Sequence, residues 1–470
     1  MLTRLRMDEL VNAWVGDSDT PFHLGLLAVF EPGPFARPGG VVDTGRVTDE
    51  LSDRARGVPE LGHRVLWTRW GEGRPVWVDD PDDDVARHVQ VCALAPGTDL
   101  ATWATNRALA PLHPDRALWR ADVVHGLPGG GFAVLLVVHH VLADGIGGLR
   151  LLASLLDEAP DAVREARRPR TTRPLPSHRE LVQDNLRQWR HRQDGHHGPR
   201  APSLSGARRA LGQFRDAMSD FSGPLPRTSL PRMVGPARRM SVTTAPLAPL
   251  RAAAHAQGAT VNDVLLAAVA HGLRDLLTAR GECRESLVVR TIIPVSMDPS
   301  GQATSMMVVD LPVGEPDPAR RLASITGRTA ARKAHLRATG GTGQDLLDLP
   351  VTVARLVIPW ARRRGSARIH LSVINIPGPA RSLWFAGAQL VRTLPVAPLV
   401  PLVGLTVAAL SYADQLTVAV NADGTVRDLD ILGDGIADSL AHVVSEGHSA
   451  DSAKGALCRS PDWGPSASTA

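Results

Sequence analysis

The chain has 470 residues, 43% of them hydrophobic and 21% charged, with a formal net charge of +4. That length exceeds what one hydrophobic core usually serves, so two domains are expected, and the ordinary composition excludes a fibrous or wholly disordered chain. The basic residues are almost all arginine, with lysine only at Lys333 and Lys454. This bias is read as genome composition, and no nucleic-acid partner is expected. Cys92, Cys283 and Cys458 lie far apart without metal-ligand spacing, which points to a reducing, cytoplasmic setting without structural disulfides.

The N-terminal MLTRLRMDELVNAW lacks the continuous apolar core of a signal peptide. FHLGLLAVFEP from Phe22, RPVWVDD from Arg74 and LWRADVVHGLPGGGFAVLLVVHH from Leu118 read as strands. The last reads as a hairpin, because residues 127–131 (LPGGG) offer turn chemistry between two β-rich runs. LRLLASLLDEA, from Leu149, shows helical periodicity. Residues 161–239 are rich in Arg, Pro and His, with a helical patch at 180–190, and are expected as a solvated basic linker.

From residue 240 the pattern becomes strand, helix, loop and long helix, followed by strands at SLVVRTIIPVS, SMMVVDLPVG, IHLSVINIPG and LTVAALSYADQLTVAVNAD. LPVAPLVPLVGLTVAAL, from Leu394, is apolar but broken by Pro395, Pro398, Pro401 and Gly404, so it reads as a buried strand and loop and not as a membrane span. The organisation expected is an N-terminal domain at 1–160, the linker at 161–239, a C-terminal domain at 240–446 and a disordered tail at 447–470.

One stretch concentrates chemistry. The apolar run from Phe132 to Val138 leads straight into His139, His140, Asp144 and Gly145. Neighbouring strand residues face opposite sides, so the two histidines cannot do the same job. One is expected to pack inward and orient, the other to face a cavity. Three readings are open. The pair can be satisfied side chains beside a helix-capping Asp144. A metal site needs a third ligand at usable spacing, and there is no H-E-x-x-H and no cysteine cluster. The third reading makes one imidazole a general base near neutral pH for direct acyl transfer, in a chain without a G-x-S-x-G elbow, a Walker loop or a G-x-G-x-x-G motif.

His139-His140-Val141-Leu142-Ala143-Asp144-Gly145 resembles the HHxxxDG signature of the bacterial wax ester synthase/diacylglycerol acyltransferases. These belong to the coenzyme-A-dependent acyltransferases shaped like chloramphenicol acetyltransferase. FHLGLLAVFEP, RTSLPRMVGPARR, TVNDVLLAAVAHGLR, SMMVVDLPVGEPDPARRL and INIPGPARSLWFAGAQLVRTLPVAP are similar to further family segments, across roughly residues 8 to 440. The chain departs from the family pattern at Ala117, Pro231, Asp298 and Gln302, and at Ile374, which precedes Asn375; these positions bear on substrate choice.

The resemblance implies an α/β fold of two chloramphenicol-acetyltransferase-like domains, each a mixed sheet with packed helices, and a channel between them. It implies transfer of a long-chain acyl group from acyl-CoA, a co-substrate and not a cofactor, to diacylglycerol or a fatty alcohol. His140 is the implied base, with His139 orienting and Asp144 bracing the loop beside Gly145. Asn262 and Asp263 are expected as helix caps that also order the channel wall. Trp119, Asn375, Pro377 and Gly378 are candidates to line the channel. Arg362, Arg363 and Arg364 end a helix and offer charge to acidic lipid headgroups or coenzyme A phosphates. A peripheral place at the inner face of the membrane or on a lipid body fits these substrates. A different acceptor from secondary metabolism, or lipid binding without catalysis, remain the alternatives.

Overall fold

The computed structural model describes residues 2–14, 16, 19–80, 84–164, 172–194, 225–231, 233–296, 304–339, 355, 360 and 363–448. In chain order, the first half contains α1 (Met7–Ala13), β1 (His23–Phe30), β2 (Ala36–Arg37), β3 (Val41–Val42), α2 (Thr44–Arg56), β4 (His63–Leu66), β5 (Val76–Asp79) and β6 (Val89–Ala93). It continues with α3 (Leu100–Arg107), β7 (Trp119–His125), β8 (Phe132–His139), α4 (Gly145–Ser154) and α5 (His178–Asp194). The second half contains β9 (Arg238–Pro246), α6 (Leu247–Ala256), α7 (Val261–Ala279), β10 (Val289–Ser296), β11 (Thr304–Leu311) and α8 (Pro318–Thr339). It ends with β12 (Leu371–Ile376), β13 (Trp384–Phe385), β14 (Ala388–Val396), β15 (Leu405–Tyr412), β16 (Gln415–Asp423) and α9 (Leu429–His448).

Two six-stranded sheets carry the fold, in the orders β13-β14-β1-β8-β7-β6 and β11-β10-β12-β15-β16-β9. Both are mixed: β6 runs parallel to β7, and β12 runs parallel to β10 and β15. In the first sheet β8 is buried on both faces, which is why it reads as a continuous apolar run. Phe132, Val134, Leu136 and Val138 face a core shared with Val47 and Leu51 of α2 and Leu151 of α4. Ala133, Leu135 and Val137 face the other way, onto Leu100 and Ala104 of α3 and onto Met240 and Ala419 of the second sheet.

α3 is therefore the wedge between the sheets. Its Thr105 hydroxyl donates to Asn421 Oδ1 at 3.0 Å. Asn106 bonds both backbone groups of Arg238, its Nδ2 donating to the carbonyl at 3.0 Å and its Oδ1 accepting from the N–H at 2.9 Å. The second sheet is backed by α6, α7, α8 and α9 around one core that includes Leu266, Leu273, Ile325, Leu432 and Ile436.

Sheet membership departs from the expected boundaries in two places. The unit expected at 240–446 is not a closed sheet: β14 pairs antiparallel with β1, Leu394 opposite Leu27, and so extends the first sheet. Asp157 secures this crossing. Its backbone exchanges bonds of 2.7 and 2.9 Å with Trp384 of β13, and its buried carboxylate meets Arg54 of α2 at 2.8 Å. The expected linker also contains packed structure. Leu181 of α5 joins Val76 and Val78 in a small core, and Asp184 pairs with Arg4 at 3.1 Å, both side chains buried. Asp298 and Gln302, and the expected disordered tail beyond His448, lie outside the described residues.

Because β1 needs β14 as its outer neighbour, a fragment of residues 1–236 is left with a long unpaired apolar edge. Expressed alone, it is expected to aggregate or melt without cooperativity, and co-expression with 237–470 should restore a soluble complex. A monomeric 1–236 fragment with a cooperative thermal melt would contradict this pairing.

Candidate active site

β8 ends at His139, opposite His23 of β1. Both side chains fall on the α3 face of the sheet, because they share the parity of Val137 and Leu27. The two rings meet edge to face at 5.6 Å, and His23 Nδ1 lies 2.9 Å from the Ala108 carbonyl. His139 Nδ1 accepts from the Val141 N–H at 3.1 Å, so the neutral ring carries its proton on Nε2. Burial, with the neighbouring His23 and His140 adding to it, pushes His139 down to about 3. His139 is uncharged throughout the neutral range.

His140 is placed differently. Its N–H donates to the Phe22 carbonyl at 3.0 Å, which continues the β1–β8 ladder one residue beyond the strand. Its ring stacks on Phe22, with centroids 4.5 Å apart and planes 11° apart. Nδ1 lies 3.2 Å from Nδ2 of Asn12 on α1. The chain then turns, Leu142 N–H donating to the His139 carbonyl at 2.8 Å. Asp144 Oδ1 accepts from Gly147 N–H at 2.7 Å and caps α4. The second sheet arrives at this point: a Cβ on Gly145 would stand 3.2 Å from Cδ1 of Ile376, at the end of β12. The motif thus lies where the two halves meet.

Residues 7–265 match the wax ester synthase/diacylglycerol acyltransferase catalytic domain, and residues 300–443 match the C-terminal domain of the same family. The chain belongs to the wax ester synthase/diacylglycerol acyltransferase family. It is therefore an acyltransferase by descent. A probable diacylglycerol O-acyltransferase of Mycobacterium tuberculosis is 30% identical over 444 residues, covering 91% of this chain and 92% of that protein. The wax ester synthase/diacylglycerol acyltransferase of Marinobacter aquaeolei has the same fold, with a TM-score of 0.67 at 23% identity, covering 95% of this chain and all of that one. A condensation domain of the calcium-dependent antibiotic synthetase shares the fold more distantly, with a TM-score of 0.58 at 19% identity.

For a wax ester synthase/diacylglycerol acyltransferase, the other sequence candidates fall into two groups. Asn375 and Gly378 stand beside the motif's neighbour: Asn375 precedes Ile376 on β12 and is half-buried, while Gly378 donates its N–H to Ser411 Oγ at 2.9 Å and Pro377 between them is exposed. Trp119, in contrast, is packed inside. It is 2% exposed in the first core, stacked on His88 at 4.7 Å, with its indole N–H donating to the Leu61 carbonyl at 2.7 Å.

The helix cap is also shifted. Thr260 is the N-cap of α7 and Asp263 completes its capping box. Asp263 Oδ1 further accepts from Thr329 Oγ1 of α8 at 2.6 Å, so this 2%-exposed carboxylate ties two helices together. Asn262 is a half-buried residue in the first turn of α7. Of the departures from the family pattern, Ala117 donates its N–H to Asp80 Oδ2 at 3.1 Å and Pro231 accepts from Gly404 N–H at 3.0 Å.

Asn12 is the site residue that sequence reasoning missed. Helical spacing gives no signal for it, because Asn12 lies off the buried side of α1 formed by Met7, Leu10 and Val11. A side-chain amide can serve an imidazole in either sense. Its nitrogen donates to a bare Nδ1; turned over, its oxygen accepts from an Nδ1–H. The second sense leaves the ring's lone pair on Nε2, the tautomer in which Nε2 takes a proton.

A histidine held neutral in the fold makes stability depend on pH. An unfolded His139 titrates near 6.5, so between that value and about 3 the unfolded chain binds a proton that the folded chain does not. The contribution is fully present above pH 6.5 and is lost, at about 1.4 kcal/mol per pH unit, as pH falls below it. Melting temperatures from pH 7.5 to 5 should fall for the native protein and fall less steeply for His139→Gln. Equal slopes would contradict the neutral assignment.

Proposed function

We propose that this protein moves a long-chain acyl group from acyl-CoA to a hydroxyl of diacylglycerol or a fatty alcohol, giving triacylglycerol or wax ester, with His140 as general base. The observation that carries this reading is the imidazole of His140, held by Phe22 and Asn12 just past the end of a buried strand, where Ile376 brings in the second sheet. The acceptor proton passes to Nε2 as the hydroxyl oxygen attacks the thioester carbonyl. The tetrahedral intermediate collapses with cleavage of the C–S bond, and the departing thiolate takes the proton back from the imidazolium. The reaction balances without a cofactor and without an acyl-enzyme. His139 packs and orients, and Asp144 braces α4.

No described helix is long and apolar enough to cross a membrane. A water-insoluble acceptor is then reached by peripheral contact, and a cytoplasmic protein at the inner membrane face or a lipid-body surface suits that requirement.

His140→Ala is expected to lower acyl-CoA thiol release by roughly 10²–10⁴-fold at saturating acyl-CoA, with little change in melting temperature. Full activity in the folded variant would sink the assignment. Thiol release with other hydroxyl or amine acceptors, but with neither diacylglycerol nor fatty alcohol, would redirect it to a different acceptor.

Asn12→Leu should lower kcat by roughly 5- to 50-fold with little change in KM for acyl-CoA, because it removes the polar side chain that positions the ring at Nδ1. Asn12→Gln should recover part of that loss. An unchanged kcat in Asn12→Leu would leave Asn12 without a role in catalysis.

A further inference from the structure

The hairpin of β4 and β5 ends in a loop, residues 67–75, that displays tryptophan to solvent. Trp70 is 92% exposed and Trp67 is 47% exposed. This display is built in by fixed contacts. Within the loop, Thr68 Oγ1 donates to the Gly73 carbonyl at 2.7 Å and Arg69 N–H donates to Glu72 Oε2 at 2.6 Å. The buried Arg4 reaches up from below, its Nη1 donating to the carbonyls of Glu72 at 2.7 Å and Arg74 at 2.6 Å. Gly73 sits at φ +86°, where a Cβ would stand 2.5 Å from Asn185 Oδ1 and 2.7 Å from Arg4 Nη1. Two exposed indoles held on a loop fixed this firmly make an apolar display that an interaction site uses.

α5 flanks the loop. Asn185 Nδ2 donates to the Gly71 carbonyl at 3.1 Å, and the next residue, Leu186, is 47% exposed. Arg179, Gln183, Leu186, Arg187 and Arg190 recur at helical spacing and are all exposed, so they form one outward basic face. Arg69 adds a further exposed cation on the loop. The loop's own acid, Glu72, is turned inward, where the Arg69 N–H and His178 hold its carboxyl below the usual range. Asp184 is spent on Arg4. Glu180 is the one exposed acid among residues 67–75 and 178–190.

We propose that the loop 67–75 and the outward face of α5 together form a docking surface for an anionic phospholipid bilayer. Tryptophan favours the boundary between headgroups and acyl chains, and the arginines complement the negative surface beside it. The position suits delivery to His140. The Leu5 N–H donates to the Pro75 carbonyl and the Trp77 N–H to the Thr3 carbonyl, tying the N-terminal segment to the hairpin, and Val65 of β4 shares a core with Leu10 and Val11 of α1 and with Val141 of the motif. The same helix carries the Asn12 that meets His140. The purpose of this surface rests on the acyl-transfer reading; its binding does not.

The test is co-sedimentation of the full chain with phosphatidylcholine vesicles, with and without phosphatidylglycerol, over a range of salt. The native protein should bind the phosphatidylglycerol vesicles, less as salt rises. Trp70→Ser and the pair Arg187→Glu/Arg190→Glu should each weaken binding about tenfold while melting temperature and thiol release with a soluble short-chain alcohol stay native. Native binding by both variants, equal binding to both vesicle types, or no binding at all would overturn the proposal. So would a self-association in gel filtration that Trp70→Ser abolishes, since a second copy would then cover the loop. Absence of thiol release with every acceptor, alongside the expected vesicle pattern, would sink the acyl-transfer reading and leave the docking surface standing.

Discussion

The double burial of β8 is the constraint on which the rest of the molecule depends. A strand with apolar packing on both faces has no place for an imidazole along its length, so polar chemistry can emerge only where the strand runs out. β8 runs out at His139, and the ladder to β1 holds one residue more, through the His140 N–H and the Phe22 carbonyl. The two histidines then separate by environment and not by kind. His139 remains in the packed layer, neutral and fixed by the Val141 N–H, while His140 lies on the Phe22 ring with Asn12 against Nδ1. An uncharged neighbour matters to a base, because a second cation beside it would oppose its protonation.

The site also depends on how the halves are joined. β14 leaves the second half to pair with β1, α3 wedges between the sheets, and Ile376 comes up against Gly145. These contacts form one continuous frame from the strand that follows Phe22 to the strand that carries Asn375. A shift of the second half relative to the first would be felt at the motif, which lies at the seam. The capping box of α7, tied to Thr329 of α8, gives the second half its own rigidity at some distance from that chemistry.

Much of this was legible in the residues, and the failures have physical causes. The period of two separates the surroundings of His139 and His140, and an unbroken apolar run with glycine turns marks the β7–β8 hairpin. Strand pattern does not name a strand's partner, so nothing in AQLVRTLPV announces that it crosses to β1. Nothing in the pattern around Trp119 announces that its indole is buried, where its N–H needs an acceptor and finds the Leu61 carbonyl. Thr260 through Asp263 carries the spacing of a capping box, with Thr260 and not Asn262 at the N-cap. Asn12 meets His140 across 128 positions of sequence, and such a contact exists only once the sheet has formed.

The account stands on direct transfer at His140, in which the thioester reacts only when an acceptor hydroxyl is beside it. The most direct test is a rapid-quench experiment with the protein in excess over acyl-CoA labelled in the acyl group. Without acceptor, the account predicts no label bound covalently to the chain and thiol release no faster than background hydrolysis. Addition of diacylglycerol or fatty alcohol should then release thiol and form ester in equal amounts. A burst of thiol stoichiometric with protein before any acceptor is added, with label retained on the denatured chain, would contradict it.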